Sequence, residues 1–138
     1  MKVLLLVTGG RGGSDFFQGL LDGHSQILQF PGKLIIDENF NKMINLNNPK
    51  KISRMFINLF PHFFNSKLNK IERHAYLGKK KNKFYQIDKK KFIKNFSNQF
   101  KKKKIEKIEI IKNLHIAYSL TKKEDQATHR KQQYKQKL

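Results

Sequence analysis

The residues with the clearest chemical potential form a glycine-rich turn near the start of the sequence. Glycine occupies positions 9, 10, 12 and 13, with Arg11 between the two pairs and Ser14 directly after them. Glycine lets the backbone adopt positive φ and approach a ligand closely, and N–H groups at the start of a helix bind anionic oxygens. The Arg11 guanidinium adds a permanent cation that can donate two parallel hydrogen bonds. The turn predicts an anion site, and a tight strand-to-helix turn without a ligand is the alternative.

A buried strand and a helix are expected to position this turn. Residues 2–8 form a continuous β-compatible run whose apolar centre shows no alternation, which is typical of a central parallel strand. After the turn, Ser14 and Asp15 are favoured N-cap residues, and apolar residues follow at helical spacing. Residues 27–30 indicate a second strand or a loop edge, because Pro31 and Gly32 end the apolar run. The predicted fold class is α/β, with a P-loop-like strand–loop–helix start, mostly helical segments after it, and an incomplete parallel-sheet domain overall.

Apolar spacing and capping residues predict several helices further along the chain. Three helices are expected to begin at Asp37, Pro49 and Asp88. A further helix is expected over residues 105–120, and residues 65–77 are a weaker candidate. Residues 1–120 make up the predicted domain. Residues 121–138 are rich in Lys, Gln and Thr, and we expect them to form a frayed helix or a disordered polar tail.

The charge balance is strongly basic. The sequence has 30 Lys+Arg against 10 Asp+Glu, a formal net charge of +20. Such a surface attracts polyanions, nucleic acid among them. Nearly all of the cations are lysines, whereas specific phosphate and base readout favours the guanidinium fork of arginine. A solvated lysine surface is the favoured interpretation, and a selected polyanion-binding face stays open; residues 79–85, which interleave lysines with Phe84 and Tyr85, allow both.

Several classes of protein are disfavoured by what the sequence lacks. It has no cysteine, which excludes disulfides, thiol nucleophiles and cysteine-ligated zinc. Its five histidines do not have metal-site spacing, so no metal is expected. The N-terminal apolar run at residues 3–7 is far shorter than the ~18 residues of a spanning helix, and short for a signal peptide. We therefore expect a cytoplasmic protein without a membrane span.

Residues 8–25 resemble the 5′-phosphosulfate loop of the sulfotransferases. In that family a strand is followed by Gly-x-x-Arg-Ser-Gly-Ser/Thr-Ser/Thr, an aromatic residue or Leu, a helix and His-Pro. The corresponding stretch here is TGGRGGSDFFQGLLDGHS. The resemblance implies 3′-phosphoadenosine 5′-phosphosulfate as the donor and no metal. The implied donor-binding residues are Gly10, Arg11, Gly12, Gly13, Ser14 and Asp15. Asp15 stands where Ser or Thr is usual, so its carboxylate either repels the anion or caps the helix.

The reaction implied by the resemblance is sulfuryl transfer to a hydroxyl or amine, with a carbohydrate or a small molecule as the acceptor. Such chemistry needs in-line positioning, charge neutralisation and a base for the acceptor. Gly32 stands where some members carry a catalytic Glu. Asp37, Glu38 and His62 are the substitute candidates, with helix capping, solvation and a structural role as the alternatives. The Arg-x-Pro…Ser stretch that holds the 3′-phosphate has no match, so we also expect a truncated or frameshifted member. A lysine-rich polyanion- or nucleic-acid-binding module and an inactive fragment are the alternatives to an enzyme.

Overall fold

The chain is described by a computed structural model over residues 20–21, 26–68, 86–100 and 105–135. Residues 20–21 are helical, and five helices have both bounds within these ranges: α1 (Glu38–Ile44), α2 (Pro49–Leu59), α3 (Pro61–Phe64), α4 (Lys89–Asn98) and α5 (Lys107–Lys135). A 3-10 turn, Ser66–Leu68, follows α3. Asn65 and Gln86 form an isolated antiparallel bridge, and the described ranges contain no strand.

The predicted α/β parallel-sheet fold is wrong for the part of the chain that the structure describes. That part is 69% helix and has no sheet. Residues 27–30 run without a strand partner, and Phe30 inserts its side chain into a helical core. A short apolar run fits a buried strand and a buried loop edge equally well, so periodicity alone could not separate them. The predicted strand at residues 2–8 lies outside the described residues.

Side-chain caps determine where three of the helices begin. The N–H of Phe40 donates to Asp37 Oδ1 at 2.9 Å, and the N–H of Lys51 donates to Asn48 Oδ1 at 3.1 Å. Asp88 Oδ1 accepts from the first turn of α4. Each cap satisfies N–H groups that have no partner within the helix. The predicted helix starts at Asp37, Pro49 and Asp88 are therefore confirmed.

The last helix is longer than the sequence predicted. We expected it over residues 105–120, whereas α5 begins at Lys107 and its backbone remains helical to Lys135. The residues of α5 after 120 are mostly polar and form no apolar stripe, which is the pattern that predicts a buried helix. The apolar face that the prediction relied on ends near Thr121, the last buried residue of the described α5 side chains.

The core is built mainly from phenylalanine. All phenylalanines of the described residues are buried, and they come from α1 to α4, from the residues directly after α2 and α4, and from the segment before α1: Phe30, Phe40, Phe56, Phe60, Phe63, Phe64, Phe92, Phe96 and Phe100. Phe60 and Phe63 stack with ring centroids 5.1 Å apart, and Phe56 lies 5.8 Å from Phe92. Full burial of such a side chain contributes about 1.5–3 kcal/mol. The aromatic contacts thus hold α2, α3 and α4 together.

Polar contacts fix the direction in which α4 and α5 pack. Lys91 Nζ lies 2.7 Å from Asp125 Oδ1, and Asn95 Nδ2 donates to Thr121 Oγ1 at 3.1 Å. Later residues of α4 therefore meet earlier residues of α5, so the two helices are antiparallel. Ile110, Leu114 and Ala117 turn the apolar face of α5 toward the phenylalanine core.

Candidate anion-binding sites

The donor-binding residues inferred from the resemblance lie outside the described residues. These are Gly10, Arg11, Gly12, Gly13, Ser14 and Asp15, and their roles stay predictions. The structure describes what comes after them in sequence. Leu20 and Leu21 are helical, in agreement with the helix predicted to follow the turn. Residues 26–36 then lead into α1.

Phe30 anchors the segment that follows the predicted loop in sequence, residues 26–36. This side chain is only 3% exposed. Its ring stacks on Phe63 at 5.1 Å and approaches His115 at 4.1 Å. Tyr118 meets it edge-on at 5.2 Å, and Gly32 two residues later is buried as well. The anchor therefore joins the N-terminal segment to α3 and α5.

His115 is half-buried beneath Phe30. Its Nδ1 lies 2.9 Å from the carbonyl oxygen of Ile111, one turn earlier in α5, so Nδ1–H is the donor. Burial lowers the pKa of His115, and the hydrogen bond to Ile111 opposes this only in part. The ring is consequently neutral at neutral pH and packs as an aromatic group. Its contact with Phe30 could not be predicted from the sequence, because the two residues are far apart along the chain.

The three candidate bases have different surroundings. Asp37 is exposed and caps α1 through Oδ1. Glu38 forms an exposed ion pair with Lys42 at 2.7 Å, one turn later in the same helix. The His62 ring packs edge-on against Phe63, with centroids 4.5 Å apart. Gly32, at the position of the family's acid, is buried and brings no titratable group.

Helix α2 carries a cationic face that the sequence did not single out. Lys50, Lys51 and Arg54 are exposed, while Ile52 and Phe56 are fully buried. At about 100° per residue, the three cations fall within one arc of about 100° on the side away from the core. Helix α2 contains no Asp or Glu. In the part of the chain that the structure describes, these three side chains make no ion pair.

The start of α4 is also rich in lysine, and an acid of α5 compensates one of these lysines, Lys91. Asp125 Oδ1 pairs with Lys91, and its Oδ2 accepts from the N–H of Asp88 at 2.9 Å. The hydrogen bond to Asp125 raises the pKa of Lys91, because it stabilises the charged ammonium. Glu124 lies within 3.5 Å of the Asn95 amide nitrogen beside this pair. Lys89, Lys90 and Lys94 of α4 are exposed and make no ion pair among the described residues, so α4 as well as α2 carries uncompensated charge.

Comparison with family models, curated proteins and solved structures found no match to this chain. The described helices include none with the length and apolar character needed to cross a membrane. Among the same residues, His, Asp and Glu side chains form no group of three that could hold a metal ion. The candidates for an anion site are the predicted turn around Arg11 and the cationic face of α2.

Proposed function

We propose that the chain is sulfotransferase-like and binds the 5′-phosphosulfate of 3′-phosphoadenosine 5′-phosphosulfate through residues 10–15, for sulfuryl transfer to a hydroxyl or amine. The order of residues in the turn is the reason for the choice of ligand. The observation that carries the proposal is the burial of Phe30 among four aromatic rings. It ties the segment after the predicted loop to a packed body, and a phosphosulfate site needs such support to keep its donors in place.

The turn would contribute charge neutralisation. In the transfer, the bond between sulfur and the phosphate oxygen breaks and a bond from sulfur to the acceptor oxygen or nitrogen forms. Charge on the transferred group and on the departing phosphate is stabilised by backbone N–H groups, the Ser14 hydroxyl and the Arg11 guanidinium. The nucleotide leaves as 3′-phosphoadenosine 5′-phosphate.

The acceptor must also lose a proton in this reaction. Of the three candidate bases, we favour Asp37. It lies in the segment that Phe30 anchors, and its known hydrogen bond engages only Oδ1. Glu38 is paired with Lys42 on the open surface, and His62 packs against aromatic rings. A carbohydrate or small-molecule acceptor and a cytoplasmic location are part of the same proposal.

Isothermal titration with 3′-phosphoadenosine 5′-phosphate tests the donor site. Arg11→Ala should weaken binding tenfold or more, since a hydrogen-bonded charge contributes about 1.5–3 kcal/mol and tenfold is about 1.4 kcal/mol. Arg54→Ala is the matched control, because it removes the same charge from an exposed position on α2. It should leave the affinity unchanged. Equal weakening by both substitutions would mean that only the net charge attracts the nucleotide, and absence of binding would contradict the proposal outright.

A further inference from the structure

We propose that the exposed face of α2 binds double-stranded nucleic acid through its phosphate groups. The face consists of Lys50, Lys51 and Arg54, and Asn58 is exposed on the same arc. This inference rests on α2 alone. It is independent of the donor site around Arg11, and either can fail while the other holds.

The spacing of the cations suits a row of phosphates. Lys50 and Arg54 are one turn apart, about 6 Å along the helix axis. Successive phosphates on one strand of a duplex advance by about 3.4 Å along its axis and also wind around it, so neighbouring phosphates lie farther apart than this rise and the two side chains can contact neighbouring phosphates. Lys51 lies to the side of this line and can contact a third phosphate, because a lysine stem is long and flexible.

The charge on this face is not needed by the fold. Lys50 and Lys51 lie in the first turn of α2, at the positive end of the helix dipole, where cations are unfavourable. The first turns of α1 and α5 contain an acid, Glu38 and Glu109 respectively, whereas the first turn of α4, like that of α2, contains lysines and no acid. A cationic, unpaired first turn lowers helix stability, and an anionic partner would reverse that effect.

Among the residues that the structure describes, the absence of exposed aromatic rings favours a duplex over a single strand. Proteins that bind single strands stack the bases on aromatic side chains. In the described residues every Phe is buried, and so is Tyr118. A lysine ammonium is a point charge that holds a phosphate without reading bases. The face therefore predicts contact with the phosphates of a duplex, independent of base sequence.

Fluorescence anisotropy with a labelled DNA duplex tests the inference. Affinity is measured over a range of salt concentrations for the wild type and two triple variants of equal charge. Lys50→Gln, Lys51→Gln and Arg54→Gln neutralise the α2 face. Lys107→Gln, Lys122→Gln and Lys123→Gln neutralise three exposed residues of α5 as the matched control.

The salt dependence separates a site from diffuse attraction. Each phosphate contact contributes about 0.9 to the slope of log K against log salt. The α2 variant should lower the slope by about 2 to 3, and the α5 variant should leave it nearly unchanged. Equal changes in the two variants would overturn the proposal, and so would tighter binding of a single strand or of dextran sulfate than of the duplex.

Two further measurements keep the result interpretable. Far-UV circular dichroism should give the α2 variant a thermal midpoint at or above that of the wild type, since unfavourable cations have been removed from the first turn. If the triple variant is unstable, Lys50→Glu with Lys51→Glu replaces it and must also lose the duplex. Titration of the same variants with 3′-phosphoadenosine 5′-phosphate should match the wild type, which shows that the two sites are separate.

Discussion

Truncation of Phe30 should destabilise the helical body strongly, although this residue belongs to no helix. The side chain is 3% exposed, and four ring centroids lie within 5.2 Å of its own: Phe56, Phe63, His115 and Tyr118. Replacing a core Phe by Ala costs about 3–5 kcal/mol, and the cost is lower where the site can collapse. Phe30 lies in a helix-free segment that can move inward. We therefore expect Phe30→Ala to lower the free energy of unfolding by about 3 kcal/mol.

Urea unfolding followed by far-UV circular dichroism measures this loss. Ile35→Ala is the matched control, since Ile35 belongs to the same segment and is 63% exposed. It should change the free energy of unfolding by no more than about 0.5 kcal/mol. Phe30→Leu keeps a large apolar side chain and should cost less than about 1.5 kcal/mol. If Phe30→Ala lowered the free energy of unfolding as little as Ile35→Ala, Phe30 would not anchor its segment to the helices. The donor site would then lose its structural support.

Three other predictions follow from the packing and the caps. Burial lowers the pKa of His115, so the unfolded chain binds the proton more tightly than the folded chain. The free energy of unfolding should therefore be highest above the ordinary pKa of 6.5 and should fall as the pH drops below it. Urea unfolding of His115→Gln should lack this pH dependence. Tyr118→Phe leaves the buried carbonyl of Phe63 without its hydroxyl donor and should cost about 1–3 kcal/mol, measured in the same way. Asp37→Ala should cost about 1 kcal/mol and Asp37→Asn almost nothing, since asparagine caps equally well; equal losses would show that the cap is not what Asp37 contributes.

The helices could be predicted because their signals are local. Asp37 and Asp88 cap the helices that follow them, and Pro49 occupies a first-turn position that proline favours. Apolar residues recur on one side of α2 and α4, and that side is buried in the fold. Each of these signals depends on residues within one or two turns of each other. Signals of this kind can be recognised from the sequence alone.

The sheet was predicted wrongly because its signal is not local. Residues 27–30 suit a strand only if another strand lies beside them, and the described part of the chain offers helices instead. The partner of Phe30 could not be foreseen for the same reason, since His115 and Tyr118 are distant in sequence. The cationic face of α2 was hidden within the overall charge of +20. The packing of α2 against the core shows that these three cations share its exposed side.

The turn around Arg11 is the central claim, and its amide groups test it most directly. The ¹⁵N–¹H correlation spectrum of the labelled chain is recorded while 3′-phosphoadenosine 5′-phosphate is added. We predict that the largest shifts fall on the amides of residues 9–15, because in the proposed site backbone N–H groups bind the 5′-phosphate. Loss of these shifts in Arg11→Ala would agree with the account. Shifts confined to α2 and other lysine-rich surfaces, with the glycine amides of the turn unmoved, would contradict it.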